Sequence, residues 1–223
     1  MDPSLLLLAD GRFPAGSHAT SAGVESAVRH GDVDGPATLE RYLAGRLATS
    51  GVVDAAFAAS ACCRAFEADA LRELDAELDA RLVSPVVRAV SRRLGRQLVR
   101  ATTVVWPSPS WSVLSATPGG PHQSIALGVA SQAAGGTPRD AATLAMHHLA
   151  STVCTAGVRL LGLDPMASAA VQQRGVSSAV AEIAPEIDGW ATADPADLPA
   201  LSGALAEILA EDHGSWDARL FVA

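Results

Sequence analysis

Apolar residues in this chain recur every three or four positions almost from end to end, and no stretch sustains the every-second-residue alternation of a strand. Leu71, Leu74, Leu78 and Leu82 form one stripe, and Val87, Val90, Leu94 and Leu98 a second. Met146, Leu149, Val153, Ala156 and Leu160 form a third. A chain with this pattern buries its apolar faces only by packing helix on helix. The expectation is an all-α fold, a single-domain helical bundle over 1–223 with about eight to ten helices. Composition agrees where it bears on the point. Hydrophobic residues are 49% and aromatics only 4%, and alanine dominates the apolar fraction. Alanine is the best helix former, and its small side chain lets helix axes approach closely.

The spacing predicts helices over Leu5–Ala9, from the Phe13–Glu25 bend to about His30, and from Ala37 to about Cys63 with an interruption near Ser50-Gly51. Further helices are expected over Ala68–Leu82, Val86 to about Thr103, His122–Ala134 and Pro138–Gly162. Two more run from Pro165 toward Ile183 and from Leu201 to about Asp212. Pro36, Pro85, Pro138 and Pro165 stand where a first helical turn tolerates proline. The Pro/Ser/Gly-rich stretch near 106–122 reads as the one long loop, residues 185–199 as an acidic linker, and 213–223 as a short tail.

All sixteen basic residues are arginine. Without lysine there is no Walker-type phosphate loop, no Schiff base and no carbamylated metal bridge. The net charge of −8 opposes general nucleic-acid binding. No run of eighteen apolar residues suggests a membrane span, and Leu5–Leu8 is too short for a signal-peptide core. Cys62, Cys63 and Cys154 lack paired spacing, which points to reduced thiols and a cytoplasmic setting. His147 and His148 are adjacent and face different ways. His147, Ser151 and Cys154 share a stripe but offer too few ligands for a tight metal site. No sequence grouping assembles nucleophile, base and orienter, so neither an active site nor a cofactor is expected.

Three groups of residues stand out. The first reads as a helix-start loop with a packing glycine or as a binding surface. The first two become candidate partner surfaces through the family resemblance given below, and the third is a candidate by its clustered charge. The first is the segment holding Phe13, Pro14, Gly16, Ser17, His18, Ser21, Gly23 and Glu25. Pro14 and Gly16 force a bend, while Ser17, Thr20 and Ser21 are candidate N-caps. Gly23 is expected one turn inside the helix, implying close packing against its backbone, and Glu25 reads as an exposed helical carboxylate. The second is the tail with Arg219, Leu220 and Phe221. The third is the stripe Arg88, Arg92 and Arg96, flanked by Arg93 and Arg100. Like charges four apart destabilise a helix by roughly 0.2–0.5 kcal/mol per pair. Something acidic must therefore oppose them, preferably the Asp/Glu-rich helix over Ala68–Leu82. Gly95, inside the same helix, implies another close backbone approach.

The stretch "LLLLADGRFPAGSHATSAGVE" resembles the N-terminal signature of the urease accessory protein UreF family. Ser91-Arg92-Arg93-Leu94-Gly95-Arg96-Gln97-Leu98 is similar to that family's Ser-x-x-x-Gly-Arg-Gln-Leu helix. Val158-Arg159-Leu160-Leu161-Gly162 resembles its late Val-Arg-Leu segment, and His213 with Arg219-Leu220-Phe221 its terminus. Thr20, Leu163 and Gly214 depart from the pattern, which usually has histidine, glutamine and glutamate there. The resemblance implies a non-catalytic homodimer that joins the UreD (UreH) and UreG accessory proteins. Together they would deliver nickel to the urease apoprotein, with GTP hydrolysed by UreG. A helical transcription regulator with a ligand-binding bundle is the alternative from another class.

Overall fold

The computed structural model describes residues 2–16, 19–217 and 219–221. Among them are twelve α-helices and no strand. In chain order these are α1 (Pro3–Ala9), α2 (Val24–Arg29), α3 (Pro36–Arg46), α4 (Val52–Cys63), α5 (Ala68–Arg81) and α6 (Pro85–Val105). There follow α7 (Ser110–Ala116), α8 (Gln123–Ala133), α9 (Pro138–Leu161), α10 (Pro165–Ile183), α11 (Ile187–Thr192) and α12 (Ala204–Gly214). A π-helical turn over Leu47–Gly51 joins α3 and α4 into one continuous helix. The interruption expected near Ser50-Gly51 is thus a change of hydrogen-bond register and not a break. Gly51 keeps helical angles, φ −61° and ψ −42°.

Helix starts follow the sequence signals. Proline occupies the first turn of α1, α3, α6, α9 and α10, where its missing N–H leaves nothing unpaired. Ser84 caps α6 by accepting from the Val87 N–H at 3.1 Å, and Thr137 and Asp140 form a reciprocal capping box on α9.

α4 is apolar around most of its circumference, with Asp54 in its first turn as the charged exception. Ala55, Ala56, Phe57, Ala58, Ala59 and Ala61 are all fully enclosed, so the helix needs neighbours on most sides. α8 and α9 cover most of it, with α11 and α5 completing the shell. α6 lies on α8, and α10 on α9 and α3.

Two segments differ from expectation. The stretch near 106–122 is not one loop, because α7 interrupts it. Trp111 and Leu114 turn inward, and the Trp111 Nε1–H donates to the Trp106 carbonyl at 2.7 Å. Residues 185–199 are not a loose linker, because α11 and a 3-10 turn over Pro195–Asp197 bury Ile187 and Leu198. Two arginines hold this segment by its carbonyl groups. Arg64 donates to Ala191 at 3.0 Å and Ala193 at 2.7 Å, and Arg81 to Pro195 at 3.1 Å and Ala196 at 2.9 Å. Both segments are too short for apolar spacing to register as a period. Near the C-terminus, α12 packs against α2 and α6, which brings the two ends of the chain together.

Candidate functional site

The N-terminal segment is partly core and partly surface. Phe13 is buried, with its ring centroid 6.0 Å from that of Trp106, whereas Pro14 is exposed. Gly16 is buried beneath the Gln97 side chain. Ser17 and His18 lie outside the described residues. Ser21 is fully enclosed and its hydroxyl accepts from the Glu25 N–H at 3.3 Å, so it acts near the start of α2 as expected of a cap. Gly23 does not lie inside the helix. It is the N-cap residue of α2, at φ 86°, a left-handed angle that an L-residue adopts only with strain. The close approach is present: a Cβ there would meet the Tyr42 hydroxyl at 2.5 Å. That hydroxyl and Arg46 both donate to the Ala22 carbonyl, at 2.8 and 2.9 Å.

Glu25 is not an exposed carboxylate. Its side chain retains 12% exposure and receives three hydrogen bonds. His213 Nε2 lies 2.9 Å from it, and the backbone N–H groups of Leu220 and Phe221 donate at 2.7 and 2.9 Å. Phe221 is buried beneath the Arg159 guanidinium, 4.3 Å from the ring centroid, while Leu220 and Arg219 face solvent. His213 is enclosed between Glu25 and the Trp216 ring, and Arg29 lies 4.0 Å over that ring. The end of the N-terminal segment and the tail, expected as two surfaces, are therefore in contact through Glu25.

Burial by itself would raise the Glu25 carboxyl. The hydrogen bonds from Leu220, His213 and Phe221 outweigh it and hold the group below its ordinary 4.5. An acid with a depressed value stabilises the fold above its unfolded pKa, and that contribution disappears as pH falls through the folded one. Acidification below 4.5 is accordingly expected to release the tail. Glu25→Ala is expected to do so at neutral pH, at a cost of about 1–3 kcal/mol. Hydrogen exchange at the Leu220 and Phe221 amides measures the release directly; protection equal to wild type would remove Glu25 as the anchor.

On α6, the arginine stripe is opposed from within the chain, as preferred from the sequence. Arg92 reaches Asp75 at 3.0 Å, Asp79 at 2.6 Å and the Gly120 carbonyl at 2.6 Å. Arg88 donates to the carbonyls of Leu82 and Val83 and lies 4.0 Å from Asp79. Arg96 is exposed and donates to the Gly119 carbonyl. Beside them stands a grouping that sequence reasoning missed. His122, fully buried, places Nε2 3.0 Å from Asp79 and Nδ1 3.0 Å from the Ser91 hydroxyl, while its N–H donates to Asp75 at 2.8 Å. The order Ser91–His122–Asp79 resembles nucleophile, base and orienter, but the electrostatics oppose proton uptake. Burial pushes His122 below the ordinary imidazole value and Arg92 adds to that, against the pull of Asp75 and Asp79. The trio acts as a crosslink between α5, α6 and the start of α8.

His147 and His148 both turn to the carboxyl end of α1, at 3.2 Å from the Ala9 carbonyl and 2.8 Å from that of Leu8. This is core polar packing, and burial depresses His148 to about 4. Among the described residues, no three His, Cys, Asp or Glu side chains come close enough to hold a metal ion. No helix formed by those residues is long and apolar enough to cross a membrane.

Comparison with known proteins adds the following. A family model described as UreF matches residues 33–175. The chain is 40% identical over 220 residues to the urease accessory protein UreF of Mycolicibacterium vanbaalenii, covering 99% of this chain and 98% of that one. It is 36% identical over 221 residues to the protein of that name from Mycobacterium sp. strain JLS, covering 99% and 98%. With the Mycobacterium tuberculosis protein it shares 36% identity over 219 residues, covering 98% and 97%.

Proposed function

The chain belongs to the UreF family of urease accessory proteins, and on that premise we propose that it acts as a non-catalytic component of a nickel-insertion complex. In this reading it forms a cytoplasmic homodimer and assembles with UreD (UreH) and the GTPase UreG on the urease apoprotein. It modulates the GTPase step while UreG hydrolyses the nucleotide. The absence of lysine supports the last point, since phosphate coordination by a P-loop lysine is not open to this chain. Neither the fold nor the relatives favour the transcription-regulator alternative.

The observation that carries the reading is the composite surface at the joined chain ends. Phe13, Gly16, Ser21 and Gly23 form its scaffold, Glu25 anchors the tail, and Pro14, Arg219 and Leu220 face outward. Leu205 and Ile208, 63% and 65% exposed on the same helix as His213, offer further apolar area of the kind that marks interaction sites. The Arg88/Arg92/Arg96 face takes third place, because Arg92 is paired inside the chain.

Leu220→Asp tests the surface. The side chain is 55% exposed, so stability should change by no more than about 0.5 kcal/mol. Co-purification with UreD (UreH) and UreG should fall about tenfold, as for loss of an apolar anchor worth about 1.4 kcal/mol. Unchanged recovery of both partners, with melting temperature also unchanged, removes the tail from the interface.

A further inference from the structure

Beneath α12, among α4, α6, α8 and α9, lies a cavity of about 150 Å³. Much of its wall is aliphatic, from Val53, Leu94, Leu127 and Leu149. Polar side chains break that lining, the charged ones being Arg46, Asp54, Arg81 and Glu207. Arg81 is held by Glu77 and the carbonyls of 195–199, and Glu207 by Ser84 and Ser202, whereas three other groups keep bonding capacity. Asp54, on α4, accepts from the Ser124 hydroxyl through Oδ1, while Oδ2 has no hydrogen bond among the described residues. Arg46, at the end of α3, donates from Nε to Ser50 at 3.1 Å and from Nη1 to the Ala22 carbonyl at 2.9 Å and the Tyr42 hydroxyl at 3.5 Å, which leaves Nη2 without a hydrogen bond among the described residues. His148 must carry its proton on Nε2 to meet the Leu8 carbonyl, so Nδ1 retains a lone pair. Burial raises the Asp54 carboxyl above its ordinary value, against the opposing pull of Ser124 and Arg46, and Asp54 and Arg46 do not approach within the 4.0 Å of an ion pair.

Both residues are half-buried, and charges drawn partly out of water and left apart cost free energy unless something pairs with them. The side chains that leave the space open are small, since Ala145, Ala206, Ala210 and Gly203 all stand on the wall. An anion alone would satisfy Arg46 and repel Asp54; a cation alone would do the reverse. We propose that this chamber binds a small zwitterion of the size of a free α-amino acid, its ammonium toward Asp54 and its carboxylate toward Arg46. A cavity of this volume takes a ligand of about six heavy atoms, as benzene fills an apolar one of similar size. Alanine has that size. The proposal is independent of the partner reading above and is tested on the chain alone.

The test is calorimetry together with 1H–15N correlation spectra of the full chain, titrated with L-alanine, acetate and methylammonium. L-alanine is expected to bind saturably by about 1 mM. Its shifts should centre on Arg46, Asp54, Ser124 and Thr152, with both single-charge probes at least about tenfold weaker. Asp54→Asn should weaken L-alanine about tenfold. Ala206→Leu, which fills the chamber from the peripheral α12, should abolish binding with the melting temperature retained. If Asp54→Asn does not fold, the filled variant decides. No saturation by about 10 mM, acetate or methylammonium binding as tightly as L-alanine, or full binding by Ala206→Leu would each overturn the proposal.

Discussion

Arg92→Ala is expected to lower stability by about 3–5 kcal/mol, the range for removing one partner of a buried ion pair. Its side chain is 19% exposed and meets carboxylates of 7% and 40% exposure at Asp75 and Asp79. Asp79 is open enough for water to screen it, so most of the loss arises at Asp75. Asp75 also accepts the His122 N–H, and Arg92 satisfies the Gly120 carbonyl, so the substitution leaves an uncompensated buried charge and an orphaned acceptor together. Arg92→Lys should lose an intermediate amount, because an ammonium cannot span both carboxylates and the carbonyl as a planar fork does. Urea unfolding with an unchanged slope is the measurement. Arg96→Ala, on an exposed side chain, is the control and should stay within about 0.5 kcal/mol. A loss below about 1 kcal/mol at Arg92 would mean that solvent screens the whole cluster.

That cluster also shows what the sequence could and could not reveal. Arginines four apart on α6 advertise repulsion, which is a demand for acid, and the carboxylate-rich helix just before it is the nearest supply. Charge spacing is a local property, so the pairing was legible. The other members were not. His122 lies 43 positions from Asp79 and 31 from Ser91, and no periodicity links residues so far apart. The same holds at the chain ends. Glu25 is anchored to backbone N–H groups 195 and 196 residues away, and a backbone donor carries no residue identity that a pattern could register. Long helices with regular apolar stripes, such as α6 and α9, were readable because many residues repeat one signal. α7 and α11 were not, since seven and six residues give too few repeats to stand out from proline and acidic neighbours. Gly23 illustrates a mixed case: its close packing follows from the sequence, but its left-handed angle depends on where α2 begins, and the cap is set by Tyr42 and Arg46 from another helix.

Glycine within a helix normally makes alanine the better residue by about 1 kcal/mol, and two of the helical glycines, Gly45 and Gly95, are expected to answer that rule with opposite signs. Gly45 lies on the exposed side of α3, and a Cβ there meets nothing within 4 Å. Gly45→Ala should therefore stabilise by about 0.5–1 kcal/mol. Gly95 faces the chain that leads from α7 into α8. A Cβ there would come within 2.9 Å of the Pro121 carbonyl carbon and 3.0 Å of the His122 carbon, with the Pro121 oxygen nearer still. These are backbone atoms, so no rotamer change relieves the contact. The loop can retreat only by drawing His122 away from Asp75, Asp79 and Ser91, the bonds that fix it. Overpacking costs about 1–3 kcal/mol. Unsatisfied buried polar groups add about 1–3 kcal/mol more. The gain in helix propensity offsets only about 1 kcal/mol of that. Gly95→Ala should lose about 3 kcal/mol, and Gly95→Val should prevent folding at moderate temperature. Thermal melts of the two alanine variants side by side decide the matter. Equal stabilisation of both would show that the 119–122 segment yields freely and that the His122 crosslink does not hold it.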